Sequence, residues 1–212
     1  VAKIAKTAAL PNASVRTRRA YFDCRYGQLH VRTAFPTTGG FGEQVTLVCL
    51  HPASGSSRVF ARFLPLIAAA RSVYAPDLPG SGESDGPPAG TPAEQAESIA
   101  DLAAELRLRQ IDVLGLHAGA AVAIELGLAK PQLVRRLVLV GNFPRERAPS
   151  LRQPCLVLSI GAAAHAARAA ARELPPNARH LDAAEYADDL FDAAPKTLAK
   201  QFAAFLDEAA AG

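Results

Sequence analysis

The stretch at residues 111–123, IDVLGLHAGAAVA, constrains this chain more than any other. An apolar run of strand length meets Gly115-Leu116-His117-Ala118-Gly119 and restarts at once as small residues suited to a helix. A strand that turns directly into a helix pushes its central residue towards positive φ, and it needs small neighbours so that helix and sheet can touch. Gly115, Gly119, Ala120, Ala121 and Ala123 meet the second demand. His117 can meet the first, because histidine is enriched among non-glycine residues at positive φ. A dinucleotide-binding turn fits poorly: it needs G-x-G-x-x-G after the first strand, and here the glycines are spaced differently and the strand comes late.

Around this elbow the chain alternates strand and helix. Residues 19–24 and 28–34 read as an antiparallel hairpin turning at Tyr26-Gly27. Residues 45–50, VTLVCL, form a continuous apolar run, as expected of a strand covered on both faces. A helix is predicted over 58–69 and a strand over 72–75, followed by a polar loop. Thr91 and Glu94 with Pro92 between them form a capping box that starts a helix running to about Leu106. Beyond the elbow, strands are expected at 137–140, 154–160 and 178–181, an Ala-rich helix near 162–171 and a last helix over 194–208. The pattern predicts an α/β fold: a doubly wound, mostly parallel sheet with an N-terminal antiparallel hairpin.

A chain of 212 residues, half of them hydrophobic, suits one domain with a large core, here 18–212 behind an arm at 1–17. No apolar run reaches the roughly 18 residues that span a bilayer, so no membrane partner is expected. Twenty-three Lys and Arg against 20 Asp and Glu is too even to imply a nucleic-acid partner. The basic cluster Arg16, Arg18 and Arg19 reads as a solvated arm. Cys24, Cys49 and Cys155 are odd in number and widely spaced, which predicts reduced core fillers and a cytoplasmic setting.

The order of landmarks resembles the α/β-hydrolase superfamily from Arg19 to Leu206. After the third strand stands His51-Pro52-Ala53, and after the fourth Asp77-Leu78-Pro79-Gly80-Ser81-Gly82-Glu83-Ser84. The elbow Gly115-Leu116-His117-Ala118-Gly119 comes next, with histidine where that family places its nucleophilic serine. The resemblance implies a triad, and each of its positions is occupied by something else: His117 for the nucleophile, Ala164 for the acid three residues past Gly161, and Asp188 for the histidine seven residues before Pro195. The backbone donors of the implied oxyanion hole would be Ala53 and Ala118. Only residues 141–153 separate the sixth and seventh strands, so no cap domain is expected. That segment is barely long enough for a crossover helix, which predicts an uncovered stretch of sheet and hence a homo-oligomer.

Two functions follow. His117 and Asp188, exchanging the usual places of imidazole and partner, would form a dyad acting as base or nucleophile on a small ester, thioester or related carbonyl substrate. Alternatively the chain is a catalytically silent homologue that binds a ligand or partner. His51, Ser54, Asp77 and His165 are further pocket candidates. No cofactor is expected and no metal, because His51, His117, His165 and Asp188 lack metal-motif spacing.

Overall fold

In the computed structural model the residues described are 15–37, 44–87, 90–144, 146–161, 174–183 and 185–209. They form one eight-stranded sheet in the order β1-β2-β4-β3-β5-β6-β7-β8. The strands are β1 (Arg16–Cys24), β2 (Gly27–Phe35), β3 (Gln44–Leu50), β4 (Arg71–Pro76), β5 (Ile111–Leu116), β6 (Val134–Val140), β7 (Cys155–Ile160) and β8 (Ala178–Ala183). β2 pairs antiparallel with β1 and β4, and every other pairing is parallel. The helices are α1 (Leu64–Ile67), α2 (Pro92–Glu105), α3 (Ala118–Ala129), α4 (Leu190–Ala193) and α5 (Pro195–Leu206). The Ala-rich stretch 162–171 lies outside the described residues.

The apolar runs dictate the layering. Every residue of β5 and of β7 is buried, so the sheet must be covered on both faces. One face carries Phe60, Phe63, Leu64, Phe191, Leu198 and Phe202, from the segment after β3 and from α4 and α5. Phe191 stands edge-on to Phe60 and Phe63, with centroids 4.9 and 5.1 Å away. The other face carries α2 and α3, with Ile99, Ala120, Ala123 and Ile124 against Val48, Val113 and Leu139. α2 opens as its capping box requires: Glu94 N–H donates to the Thr91 hydroxyl at 3.3 Å, and Thr91 N–H donates to the Glu94 carboxylate at 2.8 Å.

Three expectations change. The helix predicted over 58–69 is broken into a 3-10 turn at Ser57–Phe60 and the one-turn α1, because Pro65 has no N–H and its ring would collide with the carbonyl four residues earlier. The basic cluster is no arm: pairing of β1 with β2 begins at Arg16 opposite Phe35 and runs through Arg18 and Arg19. The sheet beyond β6 is not bare either. Phe143, Ala148 and Leu151 of the short β6–β7 connection are buried against the α3 face, and the Gln153 amide donates to Gly127 O at 2.8 Å. That removes the ground for expecting self-association. A 3-10 turn at Ala148–Ser150 is the connection's only regular element, so no cap stands between β6 and β7 among the described residues.

The cysteines are free, and burial pushes the Cys155 thiol up to about 12 and the Cys49 thiol higher, leaving both inert. No helix is long and apolar enough to cross a membrane among the described residues.

α3 reaches the sheet through Gly119, where an added Cβ would lie 2.2 Å from Leu50 O and 2.7 Å from His51 O, both backbone atoms. Gly119→Ala must therefore push α3 off β3. Urea unfolding should show a loss of about 3 kcal/mol; an unchanged midpoint would mean that this contact is not fixed.

Candidate functional site

β5 ends at Leu116, and His117 turns the chain into α3 with φ 51° and ψ −113°. A non-glycine residue in that region stores about 1–3 kcal/mol, so its surroundings must hold it there. They do so by closeness: a Cβ on Gly115 would lie 2.4 Å from Gly119 O, and the His117 N–H donates to Val140 O at 2.8 Å. The elbow thus survives with histidine at its apex.

The imidazole leans towards the β6 side of β5. Its Nδ1 accepts the backbone N–H of Asn142 at 3.0 Å, and its Nε2 stands 3.1 Å from Asp188 Oδ1. Since an amide N–H can only donate, Nδ1 carries no proton in the neutral ring. Nε2 then carries it and donates to the carboxylate. Both ring nitrogens are engaged. The ring fits because Gly141, at φ +85°, has no side chain: a Cβ there would stand 2.5 Å from His117 Cε1 and Nδ1. Asp188 is presented by the loop after β8, which is turned back to the sheet by a bond from Gly161 N–H to Tyr186 O at 2.9 Å. Its side chain is 87% exposed and that of His117 is 22% exposed, so the pair itself adds about 1 kcal/mol or less.

These residues line an open cleft of ≈ 560 Å³ with Asn142, Ile160, Gly161, Ala187 and Asp189. The other sequence-derived candidates stand elsewhere. The His51 Nδ1–H donates to Pro52 O at 2.7 Å and its Nε2 accepts Leu78 N–H at 2.8 Å. Burial lowers its pKa, keeping it the neutral tie between two loops. Asp77 is buried beneath the β4 loop, where it accepts Ser57 N–H at 2.6 Å, Glu83 N–H at 3.0 Å and the Nδ1–H of His30 at 2.9 Å. Burial raises its pKa, but the hydrogen bonds outweigh burial and the net shift is downward. Ser54 is exposed in a turn closed by Gly55 N–H on Pro52 O at 2.9 Å. Ala53 and Ala118 stand at the carboxyl ends of the neighbouring strands β3 and β5, and neither amide donates a hydrogen bond among the described residues. His165 and Ala164 lie outside those residues. No three His, Cys, Asp or Glu side chains gather to hold a metal ion among the described residues.

Asn142 was missed from sequence. The available signal was Gly141-Asn142 at the end of the strand beside β5, since loops at the carboxyl ends of adjacent parallel strands meet. His30 pairs with Asp77 at 2.9 Å, and His180 Nε2 with the Ser159 hydroxyl at 2.9 Å.

The strand order, the elbow and the loops around it converge on one family. A family model described as alpha/beta hydrolase fold matches residues 45–206, and the chain belongs to that family. It is 32% identical over 104 residues to the pimeloyl-[acyl-carrier protein] methyl ester esterase of Aeromonas hydrophila subsp. hydrophila, covering 49% of this chain and 40% of that protein. It is 32% identical over 128 residues to a 2-hydroxy-6-oxononadienedioate/2-hydroxy-6-oxononatrienedioate hydrolase of Cupriavidus pinatubonensis, covering 55% and 42%. The chain spans less than half the length of these curated relatives. Among solved structures, the naproxen esterase of Bacillus subtilis superposes with a TM-score of 0.78 at 18% identity, covering 91% of this chain and 92% of that one, which is a likeness of fold.

Two variants test this geometry. Gly141→Ala should drive the ring from its place, so that the Asn142 amide loses its acceptor and its proton exchanges faster with solvent; unchanged exchange would contradict the packing. For Asp77, folding holds the carboxyl below its unfolded value, so its contribution is full above about pH 4 and lost as pH falls through the folded value. Asp77→Asn should cost about 2 kcal/mol at pH 7 and flatten the acid limb of a stability-against-pH curve from chemical denaturation. An equal acid slope in both proteins would contradict it.

Proposed function

We propose that this chain is a catalytically silent α/β hydrolase that binds a small ester, thioester or related carbonyl compound at the rim of its sheet. The observation that carries this reading is the engagement of both nitrogens of His117. An imidazole attacks or takes a proton through an unprotonated nitrogen with a free lone pair. Here the Nδ1 lone pair receives the Asn142 amide, and Nε2 bears the proton given to Asp188. Moving that proton to Nδ1 would set two donors face to face. The ring is thus a donor at the cleft and no base. The absence of an acid at position 164 and of a histidine at 188 points the same way.

Binding needs less than catalysis. Ala53 follows β3, the strand beside β5, and Ala118 opens the twelve-residue helix α3, whose dipole favours a negative oxygen at its N-terminus. A carbonyl oxygen held on their amides would leave the rest of the ligand to lie along Ile160 and Ala187 in the cleft, which no cap covers among the described residues.

The second reading is hydrolysis of the same compounds by the His117 and Asp188 pair. The 3.1 Å contact between them and the hydrolase names of the relatives favour it. A methyl ester and its ketone isostere, titrated into nitrogen-15-labelled protein, separate the two. The silent reading expects the Ala53 and Ala118 amide resonances to move together while the ester stays intact. Ester consumption that is lost in both His117→Ala and Asp188→Ala would replace it with the hydrolytic reading, and unmoved resonances with either compound would remove the carbonyl site.

A further inference from the structure

The register of β1 and β2 sets Arg19 directly opposite Arg32, on the face where Tyr21 stands opposite His30. Like charges at opposed positions destabilise a strand pair, so this arrangement needs a reason. Arg19 has partial relief from Glu83 at 3.8 Å, a half-exposed carboxylate that also accepts a hydrogen bond from the Tyr21 hydroxyl at 3.0 Å. Arg32 has none: it makes no ion pair among the described residues, and its Nε is buried without a hydrogen-bond partner. A dehydrated guanidinium N–H with no acceptor is costly.

Arg19 and Arg32 line a concavity of ≈ 340 Å³ together with Thr17, Arg18, Ala61 and Leu64. None of these lining residues is acidic. It lies across β4 and β3 from the elbow strand, and so is separate from the His117 cleft.

We propose that this concavity binds a phosphate monoester carried by a small soluble molecule. Two opposed guanidiniums match a dianion better than a carboxylate, and their planar N–H forks suit phosphate oxygens. The space exceeds what a bare phosphate fills, and exposed Ala61 gives the esterified carbon group an apolar contact. A lipid source fits less well: Tyr21 is the one large hydrophobic side chain left exposed among the described residues, too little to enter a membrane surface.

The test is calorimetric titration of the full chain with phosphoethanolamine at fixed ionic strength, with acetate as the comparison and with Arg32→Gln and Arg19→Gln in parallel. Saturable binding of phosphoethanolamine but not acetate is expected, weakened about tenfold by Arg32→Gln. In thermal unfolding without ligand, both variants should melt no lower than the parent, because each relieves the opposed charges. With phosphoethanolamine the parent should gain a larger upward shift than either variant. No saturable heat from the parent, equal affinity in Arg32→Gln, equal binding of acetate, or binding confined to phosphatidate-bearing vesicles would each overturn the proposal.

Discussion

The imidazole of His117 is held from two sides, by an amide that can only donate and a carboxylate that can only accept, and what the site can do depends on that clamp. The clamp requires a backbone with no side chain at Gly141 and an elbow tight enough to keep φ positive at a histidine. Each requirement is steric before it is chemical. The same packing that presents a serine to solvent in other members of this family presents here a ring large enough to reach the next strand's loop and bond to it. Size makes this contact possible, for the imidazole reaches from the end of β5 to the Asn142 amide at 3.0 Å.

Below the rim, two further ties hold the loops that flank the elbow. His51 joins the β3 loop to the β4 loop through Pro52 O and Leu78 N–H, and Asp77 joins the β4 loop to Ser57 and to His30 on β2. Their polar atoms are engaged by backbone and, for Asp77, by the His30 ring as well, which is why residues that look chemical in sequence tie loops together in the fold. Buried polar groups of this kind fix loop position because leaving any one unpaired is expensive. The loop bearing Ala53 is therefore anchored independently of His117.

The fold was legible because burial on both faces writes itself as unbroken apolar runs, as in residues 45–50, and because the glycines of the elbow have no steric substitute. The pairing of residues 117 and 188 was reachable by counting from Pro195. What was not legible came from contacts distant in sequence. Pro65 could be seen, but its power to break a helix was hidden by the apolar spacing around it. The cover over β6 and β7 comes from Phe143 and Leu151, which carry no periodicity in so short a segment. The acceptor role of Nδ1 depends on a backbone amide, and backbone amides have no letter in a sequence.

The clamp on His117 can be observed directly. Long-range proton–nitrogen correlation spectra of the neutral ring should show Nε2 protonated and Nδ1 unprotonated, with the Asn142 amide proton shifted downfield by its bond to the ring. A proton on Nδ1, leaving Nε2 with a free lone pair facing the cleft, would contradict the silent site and restore a base at the elbow.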